Sequence, residues 1–287
     1  MRIAGAPISW GVCEVPGWGY QMSPARVLAE MAAVGLEATE VGPRGWLPEE
    51  PAERAQTLFP YGLDVVGAFV PVVLHDPDHD PVPEVERELM NFEAAGGDVL
   101  VLAAASGLVG YDERPVLDER GWRTLLRNLD RITGLAAVQG VRTTLHPHVG
   151  TMVENGEEVR RVLEDSVVGL CLDTGHLLIG GTDPVALVRR HADRVNHVHA
   201  KDVRADLAAR VRAGELTYTD AVRAGIYVPL GEGDVDFAAI VADLGEAEFD
   251  GWFVLEQDTV LAGEPVDEGP VAQVRASLAY LRGLAGA

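Results

Sequence analysis

The sequence predicts an α/β fold in which eight parallel β-strands alternate with helices and close into a single (β/α)8 barrel. Short apolar, β-branched runs alternate with helical patterns at a regular spacing along the 287 residues. No Gly/Ser linker, charge block or low-complexity tract divides the chain, so residues 1–287 are predicted to form one domain. Consecutive βα units make a parallel sheet with right-handed crossovers, and eight such units close it into a barrel.

The N-terminal half contains four predicted strands. The first runs from Arg2 to Ser9, and the next helix has Ser23 as its N-cap, Pro24 at its first position and Gly35 as its stop. The other predicted elements of this half are strands at 38–41, 65–70 and 98–103 and a helix at about 85–95. These strands are short and β-branched, as expected where both faces of a parallel sheet are buried.

The C-terminal half repeats the same pattern. A long helix from Glu119 to Gln139 ends at Gly140 and leads into the fifth strand, Val141 to His146. Further strands are predicted at 168–173, 195–200 and 252–256, and further helices at 157–163, 183–191, 237–244 and 271–284. The interval after the seventh strand is longer than the others and contains a helical insert at 205–213. Because it follows a strand end on the face where barrels carry out chemistry, residues 203–233 are predicted to form a lid.

The charge balance restricts the partners of the chain. Its 45 acidic and 23 basic residues give a formal net charge of −22, which repels nucleic-acid phosphates and anionic membranes. The sequence shows neither a signal peptide nor an apolar run near the ~18 residues of a membrane span. Two cysteines, Cys13 and Cys171, do not make a disulfide framework. We therefore expect a cytoplasmic protein with a small-molecule partner and neither a nucleic-acid nor a membrane partner.

Polar side chains stand where the last four predicted strands end. They are His146, Asp173, His199 and Glu256, each separated from the next by one βα unit or by one unit plus the insert. Because strand ends converge on one pocket in a barrel, we expect the four side chains to share a site. Imidazole and carboxylate ligands on a rigid scaffold suit Mn²⁺, Co²⁺, Fe²⁺, Mg²⁺ or Zn²⁺. The sequence therefore predicts a divalent metal centre.

Four segments around these residues are similar to the xylose-isomerase-like TIM barrel superfamily of sugar isomerases, epimerases and dehydratases. They are LCLDTGH (170–176), VNHVHAKD (195–202), PLGEGDVDF (229–237) and WFVLEQD (252–258). Within that superfamily the chain resembles the inosose (2-keto-myo-inositol) dehydratases most, in the segments APISWG (6–11), LHPHVGT (145–151) and HAKDVR (199–204). The resemblance covers the whole chain and implies the TIM barrel fold, with Mn²⁺ or Co²⁺ as the favoured metal.

The same resemblance implies specific site residues. Asp173, His199, Glu256 and a residue at the end of the fifth strand would hold the metal, and His176 and Arg204 would contact the substrate. Sugar epimerases of the superfamily carry a glutamate at the fifth-strand position, where this chain has His146. His148 faces the same side of an extended strand, so either histidine could be the ligand. We favour His146 as the ligand and His148 as a catalytic or substrate-contacting group.

These residues predict the dehydration of a keto-cyclitol or keto-sugar through an enolate. The metal would polarise the ketone, and Glu256 would remove the neighbouring proton, with Lys201, the only lysine of the chain, as the second candidate base. His148, His176 or Lys201 would protonate the departing hydroxyl. Isomerisation or epimerisation of a sugar is the alternative reaction, but it needs two opposed bases, and a missing fifth-strand carboxylate favours elimination.

Three further residues are predicted to bind substrate. Trp10 would provide an aromatic wall, Glu40 would accept a substrate hydroxyl or hold a ligand histidine, and Arg204 would orient the substrate or brace the lid. A metal-dependent endonuclease on the same barrel is disfavoured by the net charge of −22. A binding subunit without catalytic activity is a further alternative. Barrels of this superfamily often assemble as dimers or tetramers, so a homo-oligomer is one expectation.

Overall fold

The computed structural model describes residues 1–92 and 97–286, and its main sheet is made entirely of parallel pairs. The strands of this sheet are β1 Arg2–Gly5, β2 Ala38–Thr39, β3 Asp64–Val65, β4 Gly67–Val72, β5 Val99–Ala104, β6 Arg142–Leu145, β7 Gly169–Asp173, β8 Val195–Ala200 and β11 Trp252–Leu255. Two more strands, β9 Asp202–Val203 and β10 Tyr227–Val228, form a separate antiparallel pair. The predicted α/β barrel is confirmed.

The third barrel strand is divided in two, and the division closes the sheet. β3 pairs with β2, whereas β4 pairs with β5, and only Val66 separates the two segments. The sheet order is β3-β2-β1-β11-β8-β7-β6-β5-β4, so its two ends belong to one continuous stretch of chain. Every residue of β5, the sequence VLVLAA, is buried, as a strand covered on both faces requires.

Helices surround the sheet and follow its strands. They are α1 Pro24–Val34, α2 Pro51–Leu58, α3 Val82–Phe92, α4 Glu119–Val138, α5 Gly156–Asp165, α6 Thr174–Ile179, α7 Pro184–His191, α8 Ala205–Arg212, α9 Tyr218–Arg223, α10 Phe237–Glu246 and α11 Pro270–Ala285. α1 begins at Pro24 and ends at Val34, and it is capped by Gly35, whose φ of 85° is the left-handed conformation that glycine adopts readily. Ser23 is the N-cap residue, as predicted, but its side chain makes no capping hydrogen bond.

Some predicted boundaries are wrong for identifiable reasons. The first strand ends at Gly5 rather than Ser9, because a 3₁₀ turn over Pro7–Trp10 follows and proline has no N–H for the strand ladder. Three short helices, α2, α6 and α9, were not predicted; each has eight residues or fewer, too few to show a clear helical period. Residues 93–95, predicted as the end of a helix, lie outside the described residues.

The stretch between β8 and β11 contains β9, α8, α9 and β10. Asp202, in β9, holds the base of this insert: its carboxylate accepts hydrogen bonds from the backbone N–H groups of Gly231, Gly233 and Val235 at 2.8–3.0 Å. A Cβ at Gly233 would lie 2.3 Å from Asp202 Oδ1, so only glycine fits there. The two ends of the insert are thereby joined beside the carboxyl end of β8.

No helix in the described part of the chain combines the length and the apolar character needed to cross a bilayer.

Candidate functional site

Four ligand-type side chains from four neighbouring strands meet at the carboxyl end of the barrel. His146 follows β6, Asp173 ends β7, His199 lies in β8 and Glu256 follows β11. Their ligand atoms lie within 4.8 Å of one another, and all four residues are buried. Asp173 and His199 are register partners in the β7–β8 ladder, and the N–H of His146 donates to Leu102 O at 2.7 Å. The sheet itself therefore sets the positions of these side chains.

Asp173 has two roles that use different oxygens. Oδ1 caps helix α6 by accepting the N–H of His176 at 2.7 Å. Oδ2 is turned to the centre, 3.0 Å from His146 Nε2 and 3.7 Å from His199 Nδ1. Burial alone would raise the pKa of Asp173, but Lys201 and the surrounding histidines hold it well below its ordinary value. The carboxylate is thus an oriented anion near neutral pH.

Glu40, beyond the end of β2, orients two histidines of β8. Its Oε1 lies 2.8 Å from His197 Nε2 and 3.0 Å from His199 Nε2. Burial would raise the pKa of Glu40, but His199 and His197 lower it below its ordinary value. A carboxylate that accepts one ring N–H leaves the other nitrogen of His199 free to face the centre, as in many metal-bound histidines.

The centre contains a ring nitrogen without a hydrogen-bond partner among the described residues. Nδ1 of His199 is buried and makes no hydrogen bond to any of them. Glu256 Oε2 lies 3.0 Å from Nδ1 of His199, but not in hydrogen-bonding geometry. Buried polar atoms are normally paired, so an unpaired nitrogen beside two carboxylate oxygens fits a cation between them. Two imidazoles and two carboxylates form a donor set suited to a divalent transition metal.

Lys201 stands beside this centre and contacts several of its anions. Nζ lies 2.7 Å from Asp258 Oδ1, 3.1 Å from Glu256 Oε2 and 3.6 Å from Asp173 Oδ2. Burial would lower the pKa of Lys201, but these three carboxylates raise it well above its ordinary value. The side chain is only 3% exposed, so it is a buried ammonium held in a fixed position.

His148 and His176 stack on each other next to Lys201, with ring centroids 3.6 Å apart. Nδ1 of His148 donates to the carbonyl of Val149 at 2.7 Å, which leaves the lone pair on Nε2. Nε2 of His176 lies 3.1 Å from Lys201 Nζ, and Nδ1 of His176 lies 3.4 Å from the Val149 amide nitrogen. A neutral imidazole ring accepts only one hydrogen bond, and the contact with the lysine is the shorter of the two. Burial lowers the pKa of both histidines well below the ordinary value.

A cavity of about 510 Å³ opens onto the centre. Its lining combines ligand-type and charged residues with aromatic side chains, the mixture typical of small-molecule sites. The lining includes Glu40, His146, His148, His199, Lys201, Glu256, Asp258, Phe69, Tyr111 and Tyr218. The cavity is therefore large enough for a small polyhydroxylated molecule, and one end of it is strongly polar.

Two predicted substrate contacts are corrected by the structure. Trp10 is 0% exposed and lies outside the cavity lining, because the 3₁₀ turn directs its Nε1 toward Glu30 Oε2 of α1, at 2.7 Å. Trp18 lines the cavity instead. Arg204 is exposed and also lies outside the lining; it precedes α8 and pairs with Asp206 at 3.1 Å. Glu40 lines the cavity, and its Oε1 contacts His197 and His199.

Asp258 and Tyr218 are cavity residues that the sequence analysis missed. Tyr218, at the start of α9 in the insert, donates to Asp258 Oδ2 at 2.6 Å, and its hydroxyl also lies 3.0 Å from that of Tyr227. Asp258 stands two residues after Glu256, and side-chain alternation in an extended segment could have indicated it. Tyr218 gave no such signal, because only the folding of the insert brings it to the barrel.

Comparisons with known proteins match this architecture. The sequence model for the xylose isomerase-like TIM barrel family matches residues 28–284. The chain belongs to this family. A relative in it is the inosose dehydratase of Geobacillus kaustophilus, 35% identical over 281 residues that cover 91% of this chain and 89% of that protein.

Solved structures of low sequence identity share the fold. The IolI protein with a bound zinc atom has a TM-score of 0.74 at 15% identity, covering 99% of this chain and 98% of that one. L-Ribulose 3-epimerase has a TM-score of 0.72 at 17% identity, covering 99% and 94%. The family barrel is therefore shared by enzymes named for different reactions, and the fold alone does not choose among them.

Proposed function

We propose that this protein is a metal-dependent hydro-lyase that removes water from a keto-cyclitol or keto-sugar of the inosose type. The observation that carries the proposal is the buried group of His146, Asp173, His199 and Glu256 with a lysine ammonium beside it. The similarity of the chain to an inosose dehydratase, 35% identical over 91% of this chain, supports the same reaction class. This chain has His146 at the fifth-strand position where sugar epimerases of the superfamily carry a glutamate. Because epimerisation needs two opposed bases, the missing carboxylate favours elimination.

The four residues would hold the metal, with His146 as the fifth-strand ligand. The unpaired Nδ1 of His199 and the ionised carboxylate of Asp173 fit a divalent ion, and the IolI protein, which shares the fold, has a bound zinc atom. Mn²⁺ or Co²⁺ is our favoured ion, and Zn²⁺, Fe²⁺ or Mg²⁺ would also suit nitrogen and oxygen donors. When bound, the ion would polarise the substrate ketone and stabilise negative charge on its oxygen.

The chain supplies a base and an acid on one side of the cavity. Glu256 would take the proton from the carbon next to the ketone, and the released electron pair would form the enolate. The neighbouring Lys201 ammonium and His199 lower the pKa of Glu256 against the opposing effect of burial, so it is ionised and ready to accept that proton. Collapse of the enolate would then break the C–O bond of the β-hydroxyl.

Lys201 is the best-placed group to protonate the departing hydroxyl. Its pKa is raised by the surrounding carboxylates, which makes it a donor rather than the alternative base. His148 and His176 are poorer donors, because burial lowers their pKa values and Nδ1 of His148 already donates to Val149 O. A proton from Lys201 and the leaving hydroxyl make one water, and the enol product then becomes a diketone.

We also propose that residues 203–233 form the lid of this cavity. Tyr218 of the insert lines the cavity, and the N–H of the next residue, Thr219, donates to Asp112 Oδ1 at 2.8 Å, in the loop between β5 and α4. The insert thus reaches across the carboxyl end of the barrel. A cover at this position would exclude water from the enolate.

The test is incubation of the Mn²⁺- or Co²⁺-loaded protein with 2-keto-myo-inositol. We expect diketone absorbance and a product lighter by one water, and we expect Glu256→Gln to lose at least 100-fold in turnover. Glu246→Gln, an exposed change of the same type on α10, is the matched control and should retain full turnover. A product of unchanged mass would instead support the isomerase or epimerase alternative, and undiminished turnover by Glu256→Gln would contradict its role as base.

A further inference from the structure

A second group of ligand-type side chains lies next to the first. His148, His176 and Asp258 are buried, and their ligand atoms lie within 4.8 Å of one another. The hydrogen bond from Nδ1 of His148 to Val149 O leaves the Nε2 lone pair available, which is the orientation common in metal-bound histidines. Tyr218 occupies Oδ2 of Asp258 and leaves Oδ1 turned toward Lys201. This group has the donors of a second metal position.

The ammonium of Lys201 lies within that second group. Nζ is 2.7 Å from Asp258 Oδ1 and 3.1 Å from His176 Nε2, so it contacts two of the three donors at hydrogen-bond distance. Glu256 Oε2 faces both positions, since it is 3.1 Å from Lys201 Nζ and 3.0 Å from His199 Nδ1. A carboxylate shared between two cations about 3.5–4 Å apart is typical of dinuclear metal enzymes.

Charge also favours a cation at each position. Four buried carboxylates face the two groups, Glu40, Asp173, Glu256 and Asp258, and Lys201 is the only lysine of the chain. Buried anions need compensating positive charge, which one divalent ion at the first position would supply only in part. The lysine supplies a further positive charge without a second ion.

We propose that Lys201 is a built-in cation that occupies the second position, keeps the centre mononuclear, and hides a latent divalent-metal site formed by His148, His176 and Asp258. The inference rests on the proposed metal role of the first group. Its consequence is that removal of the lysine side chain converts a one-metal centre into a two-metal centre. With the lysine present, the second position carries a proton donor in place of a Lewis acid.

The experiment compares metal stoichiometry in the wild-type protein, Lys201→Ala and Lys201→Met after loading with Mn²⁺ and removal of the excess. We expect one equivalent in the wild type, two in Lys201→Ala, and one in Lys201→Met, whose side chain fills the same space without charge. Electron paramagnetic resonance should show an isolated Mn²⁺ ion in the wild type and a spin-coupled pair in Lys201→Ala. Adding Asp258→Asn to Lys201→Ala should remove the second equivalent.

The outcomes separate this inference from the proposed function. A wild-type protein that binds no Mn²⁺ would contradict the first site and the proposed function with it. One equivalent in both the wild type and a folded Lys201→Ala would overturn the latent site alone. Should Lys201→Ala fail to fold, Lys201→Ser serves the same comparison, and a wild-type protein that takes up two equivalents in excess Mn²⁺ would overturn the inference without any variant.

Discussion

Lys201 and Asp258 form the shortest ion pair of the centre, with Nζ and Oδ1 2.7 Å apart in a site where both side chains are at least nine-tenths buried. The other oxygen of Asp258 accepts the Tyr218 hydroxyl at 2.6 Å. A side chain of the insert is therefore connected to the proposed proton donor through one carboxylate. The insert and the barrel share a hydrogen-bond network at the place where the leaving group would depart.

Tyr218→Phe is expected to lower turnover about tenfold and to have little effect on metal content. Loss of the hydroxyl leaves Asp258 with one hydrogen-bond donor fewer, and this loosens the position of Lys201. Because the missing hydrogen bond was made to a buried charge, the free energy of unfolding should also fall by about 1–3 kcal/mol. Steady-state kinetics and urea unfolding measure the two effects. Tyr61→Phe, on the 3₁₀ turn 59–61 away from the cavity, is the control. Unchanged turnover in Tyr218→Phe would separate the insert from catalysis.

Asp173→Ala is expected to abolish metal binding. The substitution removes one proposed ligand and also the N-cap of α6, and the lost cap alone should destabilise the protein by about 1 kcal/mol. Asp183→Ala provides a matched control, because Asp183 caps α7 in the same way without facing the cavity. Metal analysis should show an empty centre only in Asp173→Ala. Equal metal content in the two variants would remove Asp173 from the ligand set.

Glu40→Gln is expected to weaken metal affinity by 10- to 100-fold. Glu40 contacts His199 Nε2 at 3.0 Å and fixes which ring nitrogen faces the centre, and loss of such an orienting carboxylate has effects of about this size in other metal sites. Competition with a fluorescent chelator measures the affinity. Glu37→Gln, an exposed residue just before β2, should leave the affinity unchanged. Wild-type affinity in Glu40→Gln would show that His199 is oriented without it.

The free energy of unfolding of the metal-free protein is expected to fall as the pH drops below about 6.5. Burial keeps His148 and His176 neutral in the folded chain by lowering their pKa values, whereas the unfolded chain binds a proton at each. The unfolded state then holds more protons, so the contribution of these two histidines to stability is full above pH 6.5 and declines toward their folded pKa, by about 1.4 kcal/mol per pH unit for each of the two.

Urea unfolding between pH 5.5 and 8 in the presence of a chelator measures this dependence. His148→Gln should reduce the slope by the contribution of one site, because it removes one of the groups that titrates only after unfolding. A flat profile, or one that His148→Gln leaves unchanged, would show that the histidines take up protons without unfolding.

The grouping of four polar side chains was predictable from the sequence because the polarity of a parallel barrel brings all strand ends to one face. His146, Asp173, His199 and Glu256 lie at or next to the carboxyl ends of neighbouring strands, and the strand spacing indicated that they would meet. The register of β7 and β8 then gives the detail that pattern analysis lacks, namely that Asp173 and His199 are direct neighbours.

The aromatic and insert residues were not predictable in the same way. Trp10 and Trp18 both follow the first strand, and only the 3₁₀ turn over Pro7–Trp10 decides that Trp10 packs in the core while Trp18 reaches the cavity. Tyr218 belongs to a six-residue helix whose position depends on contacts with distant loops. Neither outcome is encoded in a local period or spacing.

Asp202 stands just before the insert, and its carboxylate accepts hydrogen bonds from three backbone amides at or just after the far end of the insert. The insert is therefore a loop closed at its base, and within it Tyr218 and Thr219 are hydrogen-bonded to Asp258 and Asp112 of the barrel. Exposed residues of the insert can change without altering those two contacts. Differences in the substrate that the cavity accepts should therefore concentrate in the insert, whereas the chemistry stays with the residues at the strand ends of the barrel.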